Sequence, residues 1–255
     1  MNKIIMKRNG LFAGLLLVFL MNISLVAQNK VIPLEGAYNK IIVSPHIETV
    51  FIEGERSSIE IKNLDVSEEK FKYELKNKTL HIYLEGAKTV TKNKKVRYNN
   101  GKRKVPIYRD TKAQIIVKHI PVKIFSIRGE EDVLFKNLTS ANESKIRLYG
   151  ESKTTIENVK TNKLRFTIYG DSKVTVNKGK VDNLKVTAYG EAKFMATNLE
   201  TKETKVTSYG AASFKLNVSE RLKVTAYGEA KVLYKGNATV KKGIVIGRST
   251  IKKVD

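Results

Sequence analysis

Seven glycines recur along the second half of this chain at an almost constant interval. Gly129, Gly150, Gly170, Gly190, Gly210, Gly228 and Gly247 are separated by 21, 20, 20, 20, 18 and 19 residues. The phrase around them is nearly the same each time: YGESK at 149–153, YGDSK at 169–173, YGEAK at 189–193 and again at 227–231, and YGAAS at 209–213. A fixed period of this length is the mark of a solenoid. One repeat cannot bury its own apolar face, so it stacks on the next, and this outranks any local propensity.

Before each glycine the sequence alternates. Leu164, Phe166 and Ile168 fall on one side, and Arg165, Thr167 and Tyr169 on the other. Leu184, Val186 and Ala188 repeat the pattern, as do Leu222, Val224 and Ala226. Period two marks a strand with one buried face. A second alternating run follows each glycine, with Ser172, Val174 and Val176, or Ala192, Phe194 and Ala196, facing inward. Stretches such as VNKGKVDN then read as turns. Each repeat is therefore expected to hold two strands with a glycine corner between them. Ser152, Ser172, Ala192, Ala212 and Ala230 should point into the tight corner. The predicted fold is an all-β, single-domain parallel β-solenoid (β-helix-like) with coils of about 20 residues, regular over 129–250.

The same alternation sends three rows outward. Tyr149, Tyr169, Tyr189, Tyr209 and Tyr227 should form an external aromatic ladder. An acidic row (Glu151, Asp171, Glu191, Glu229) and a basic row (Lys153, Lys173, Lys193, Lys231) should run beside it, an arrangement in which the two can pair laterally. Two readings stand. The strip either stiffens the sheet through cross-strand pairs, or meets sugar rings or a partner surface.

Residues 31–87 also read as strands, in NKIIVSP, IETVFIEG, SSIEIKN, FKYELKN and TLHIYLEG, and are expected to form irregular coils that cap the regular ones. The domain should span 29–255. Inside it, residues 88–110 form a loop or hairpin with nine Lys or Arg and a single acid, Asp110. Long loops in compact domains usually carry function. Lys92, Lys94, Lys95, Arg97, Lys102, Arg103 and Lys104 are the candidate anion-binding residues there.

The first 28 residues are a different text. Lys3, Lys7 and Arg8 precede an apolar run from Leu11 to Leu20 and a weakly polar stretch. This is the pattern of a secretory signal with a cut near Ala27 or Gln28, leaving no transmembrane span after cleavage. No cysteine is present, so disulfides, thiolate metal sites and a lipoprotein anchor are excluded. The formal net charge of +23 favours anionic partners. After export these would be an anionic polysaccharide, an envelope lipid or a surface protein rather than a specific nucleic-acid site.

The order of YNKIIVSPHIETVFIEGERSSIEI, the KNKTLHIYL hairpin, IIVKHIPVKIFSIRGEEDVLF and the glycine-punctuated coils resembles the GIN-domain family (DUF2807), the putative auto-transporter adhesin head domain. The resemblance covers about 35–250. It implies a secreted or envelope-associated β-solenoid and brings no catalytic residues. The coils run almost to Asp255, so no translocating barrel is expected after them.

A search for chemistry returns little. His46, His81 and His119 fall on separate predicted strands without ligand spacing, so neither a metal site nor a catalytic triad nor any cofactor is expected. Each acid of the outward row has a lysine two residues away, except where Ala211 and Ser213 interrupt both rows. That environment lowers carboxylate pKa values, the wrong direction for a general acid. The expected function is a non-enzymatic, adhesin-like binding protein of the periplasm, outer-envelope surface or extracellular space. The alternative is a periplasmic structural or signalling-accessory protein with no external ligand.

Overall fold

The coil between Gly150 and Gly170 shows how the period becomes a fold. The structure, a computed structural model, describes residues 30–98 and 101–254, and the expected signal segment lies outside them. Lys153–Tyr169 is one long strand. Residues 153–156 pair in parallel with 173–176, 159–161 with 179–181, and 163–169 with 183–189. The coils from Val133 to Tyr209 thus pair through three ladders, where the sequence pattern predicted two strands. The missed ladder includes Gly179–Val181, within the stretch read as a turn. It is too short for a period of two to register, with only Val159 and Thr161 turned inward in one coil and Val181 in the next.

The remaining inward positions are as expected. Leu164, Phe166, Ile168, Val174 and Val186 are buried, as are Phe194, Phe214 and the small corner residues Ser152, Ser172, Ala192, Ala212 and Ala230. In-register parallel pairing puts like on like from coil to coil. Tyr149, Tyr169, Tyr189, Tyr209 and Tyr227 are direct register partners. The corner glycine is required by space as well as by conformation. Gly170 has φ +107, and a Cβ there would lie 2.4 Å from the Gly150 carbonyl oxygen. Its N–H donates to the Tyr189 carbonyl at 2.9 Å, and the Ser172 hydroxyl donates to the Gly150 carbonyl at 2.9 Å. Corner polar groups are therefore satisfied between coils.

At the N-terminal end the spatial order departs from the chain order. Lys40–Val43 lies between Ile124–Arg128 and Thr79–Leu84, parallel to both. Ile47–Glu53 lies between Ala113–His119 and residues 133–135. The stack then ends in reversals: Phe71–Lys76 runs antiparallel on Thr79–Leu84, Ser58–Leu64 on Ala113–His119, and Lys30–Pro33 on Ser58–Leu64. These strands are the expected irregular cap. Beneath them Phe51, Phe125 and Phe135 pack with ring centroids 4.7–5.2 Å apart. Each is fully buried and contributes about 1.5–3 kcal/mol relative to an exposed ring.

The basic segment belongs to none of this sheet. Asn93–Tyr98 and Gly101–Pro106 pair antiparallel as a separate two-stranded sheet. Its neck is closed where the Ile107 N–H donates to the Lys92 carbonyl at 2.9 Å. Among the described residues no helix is long and apolar enough to cross a membrane.

Candidate functional site

The tyrosine ladder is formed, and its geometry restricts what it can bind. Successive rings lie 5.1, 4.7, 4.8 and 5.0 Å apart, with interplanar angles of 9°, 4°, 2° and 2°. The spacing is that of neighbouring strands, so the sheet dictates the stack. Arg128 continues the column, with its guanidinium carbon 5.9 Å from the Tyr149 centroid. The opposite end meets Ile246, the register partner of Tyr227. Ring faces are thus closed by one another, and the strip offers edges and hydroxyls. Burial, followed by the neighbouring Tyr169 and Tyr209, raises the Tyr189 pKa, so the phenol stays protonated.

Lys153, Lys173, Lys193 and Lys231 are exposed in one register column, interrupted by Ser213. The lateral pairing expected with Glu151, Asp171, Glu191 and Glu229 is not what forms. Asp171 instead accepts the Glu191 backbone N–H at 3.1 Å. Ion pairs that link coils lie elsewhere: Arg165 with Glu143, Lys202 with Asp182, and Arg221 with Glu203.

The hairpin presents its charge differently. Residues directly opposite in an antiparallel pair share a face. Lys95 faces Lys104 and Arg97 faces Lys102, so four cations occupy one face. On the other face Lys94 faces Val105 and Arg103 faces Val96. All of these cations, with Lys92 at the neck, are exposed. Like charges directly opposite weaken a two-stranded sheet that is marginal by itself.

The structure also brings together the first rung of the ladder and the neck of the hairpin. Between them lies a cleft of about 1030 Å³. His46, Arg128, Glu131 and Tyr149 line it from the coils, and Val90 and Arg109 from the hairpin side. None of the seven hairpin cations lines it. His81 and His119 are on strands as expected, but His46 is not. It sits in a turn at φ 71, a left-handed conformation uncommon outside glycine, though histidine adopts it more readily than most residues. Its ring holds the two walls together: Nδ1 lies 2.8 Å from the Asp110 carbonyl and Nε2 lies 2.6 Å from the Thr91 hydroxyl. Glu131 stands 3.7 Å from His46, with only 9% of its side chain exposed. Its pKa is raised by desolvation, against the backbone hydrogen bonds and His46 that stabilise the charge.

A family model for the putative auto-transporter adhesin, head GIN domain (DUF2807), matches residues 37–238. The chain belongs to this family. Solved structures share the GIN fold at low identity. A putative adhesin from Bacteroides fragilis aligns with TM-score 0.70 at 19% identity, over 88% of this chain and 97% of the other. A putative adhesin from Parabacteroides merdae aligns with TM-score 0.63 at 17% identity, over 89% and 95%. A protein described as a putative lipid binding protein, from Parabacteroides distasonis, aligns with TM-score 0.61 at 15% identity, over 89% and 97%. No curated protein matches.

Within this GIN domain the cleft residues are the ones that sequence reasoning missed. One signal was present. Two positions after the corner glycine, the coils carry Ser152, Ser172, Ala192, Ala212 and Ala230, but the coil at Gly129 carries Glu131. A carboxylate where the repeat otherwise buries a small residue breaks the pattern at a single coil. The partner positions Asp110, Thr91 and His46 lie 21, 40 and 85 residues before it, outside the glycine-marked repeat.

Proposed function

We propose that this protein is an exported, non-enzymatic, adhesin-like binding protein whose primary contact is the cationic face of the hairpin. The observation that carries the reading is the set Lys95, Arg97, Lys102 and Lys104, placed opposite one another on a projecting element with no acid between them. Such a face repels itself until a polyanion neutralises it, and a chain of net charge +23 adds a long-range attraction to the same ligand. The partner class is an anionic envelope polysaccharide. Export is supported by the three-part N-terminal pattern and by membership in a family of adhesin head domains. The test is binding of the full mature chain to dextran sulfate and to neutral dextran across a salt series. Retention of dextran sulfate that weakens steeply with salt, and is largely lost in Lys95→Glu/Lys102→Glu, is expected. Equal binding of neutral dextran, or an unaffected variant, would overturn it. Protease shaving of intact cells tests exposure: protection until the outer envelope is breached would leave the adhesin reading without support.

A further inference from the structure

The cleft at the hairpin neck differs in charge from the rest of this basic surface. Its lining carries both signs, two arginines, Arg109 and Arg128, beside three acids, Asp110, Glu130 and Glu131. Such a lining discriminates against both polyanions and strong cations, because either would meet like charge in a confined space. It suits a ligand whose polar groups both donate and accept. Hydroxyls do this, and guanidinium, carboxyl and threonine hydroxyl groups line the cleft to meet them. The lining also has an apolar component. Val90 is 73% exposed, and Pro45 and Pro106 line the same cleft. A ligand that covers Val90 must therefore carry an apolar face beside its hydroxyls.

We propose that this cleft binds a neutral saccharide, a short run of uncharged sugar rings whose C–H faces cover Val90 and the prolines while their hydroxyls engage Arg128, Glu131 and the threonines. Its size supports this. At about 1030 Å³ it stands at the top of the usual range for small-ligand sites, about 300–1,000 Å³. That is room for more than one ring and far more than an ion needs. Its rigidity supports it as well. His46 ties residues 91 and 110 to the coil through two hydrogen bonds, so the walls are in place before a ligand arrives, which lowers the entropic cost of binding. Glu131 occupies a corner that elsewhere takes Ser or Ala. Its oxygen accepts the Glu130 N–H at 3.0 Å, which fixes its direction. This site is independent of the hairpin's cationic face, and either can fail without the other.

Saturation-transfer NMR on the full mature chain tests it, with lactose, maltose and diacetylchitobiose as neutral probes and a hexuronate disaccharide as the charged comparator. At least one neutral disaccharide should receive saturation at millimolar concentration, and more strongly than the hexuronate. The signal should vanish in Val90→Asp, where an exposed position takes a charge without disturbing the core, and fall several-fold in Arg128→Gln. Tyr189→Ala, on the ladder away from the cleft, should keep it. Silence from all three neutral probes would overturn the proposal, as would a signal from the hexuronate alone. A neutral-sugar signal that survives Val90→Asp, or disappears in Tyr189→Ala, would place the sugar elsewhere and refute the cleft.

Discussion

The tyrosine strip and the basic hairpin both put rows of cations at the surface, yet they do so for different physical reasons. In the strip, lysine follows lysine because coil follows coil. Lys153, Lys173 and Lys193 are register partners in a parallel stack, held by the core beneath. The rings beside them are stacked at the strand spacing and have no free face. Much of the strip is thus a product of repetition. The hairpin repeats nothing. Its Lys95–Lys104 and Arg97–Lys102 oppositions weaken the element that carries them, and no core residue needs them. Cations that folding does not require, on an element that folding does not require, point to a ligand. Cations that come with the coil do not.

Four measurements would break or sharpen this contrast. The strongest effect should come from the corner beneath the strip. Gly170→Ala would force a left-handed φ on a Cβ aimed at the Gly150 carbonyl, a loss of about 2–3 kcal/mol in denaturant unfolding. A loss below about 0.5 kcal/mol would mean that the corner column relaxes easily and that the strip is not rigidly imposed. Next is the ladder itself. Tyr189→Ala removes two stacked contacts, each worth about 0.5–1.5 kcal/mol, and should cost about 1–2 kcal/mol while leaving dextran sulfate binding almost unchanged. If binding collapsed instead, the strip would be the contact surface and the contrast would invert.

pH should act on neither surface but on the capped core. Burial lowers the His119 pKa, against a hydrogen bond from its own ring to the Ile120 carbonyl that favours the charged form. The unfolded chain takes up this proton near the ordinary histidine value of about 6.5, whereas the folded chain resists until lower pH. The stabilisation is therefore present above that value and is lost as pH falls through the folded pKa. His119 packs between Phe51 and Phe125, so His119→Phe should fit and flatten the acid side of the stability profile. His81, also lowered first by burial, should leave a residual slope. An unchanged slope in the variant would remove His119 as the cause.

The smallest effect on stability should come from the hairpin. Lys95→Glu turns a like-charge opposition with Lys104 into an attractive one, a gain of at most about 0.2–1 kcal/mol within the hairpin and no shift in global unfolding. Polyanion binding should nevertheless weaken. Binding lost with global stability unchanged is the signature of a functional surface. If both were unmoved, the hairpin charge would be solvation only.

The period, the inward faces, the glycine corners, the small corner residues and the tyrosine column were all determined by the sequence itself. In a stack, each coil meets only its neighbours, so a repeat in the chain becomes a row in space and Tyr169 can be placed over Tyr149 from spacing alone. The third ladder at Gly179–Val181 was hidden because two or three residues carry no periodicity. The tertiary structure alone decided that Lys40–Val43 lies between Thr79–Leu84 and Ile124–Arg128, that Ser58–Leu64 runs antiparallel on the distant Ala113–His119, and that His46, Thr91, Asp110 and Glu131 meet in one cleft. These are pairings between distant segments that share no repeat. They are set by which long-range contacts bury the most apolar surface and satisfy the most backbone groups, and no local pattern in the chain encodes that competition.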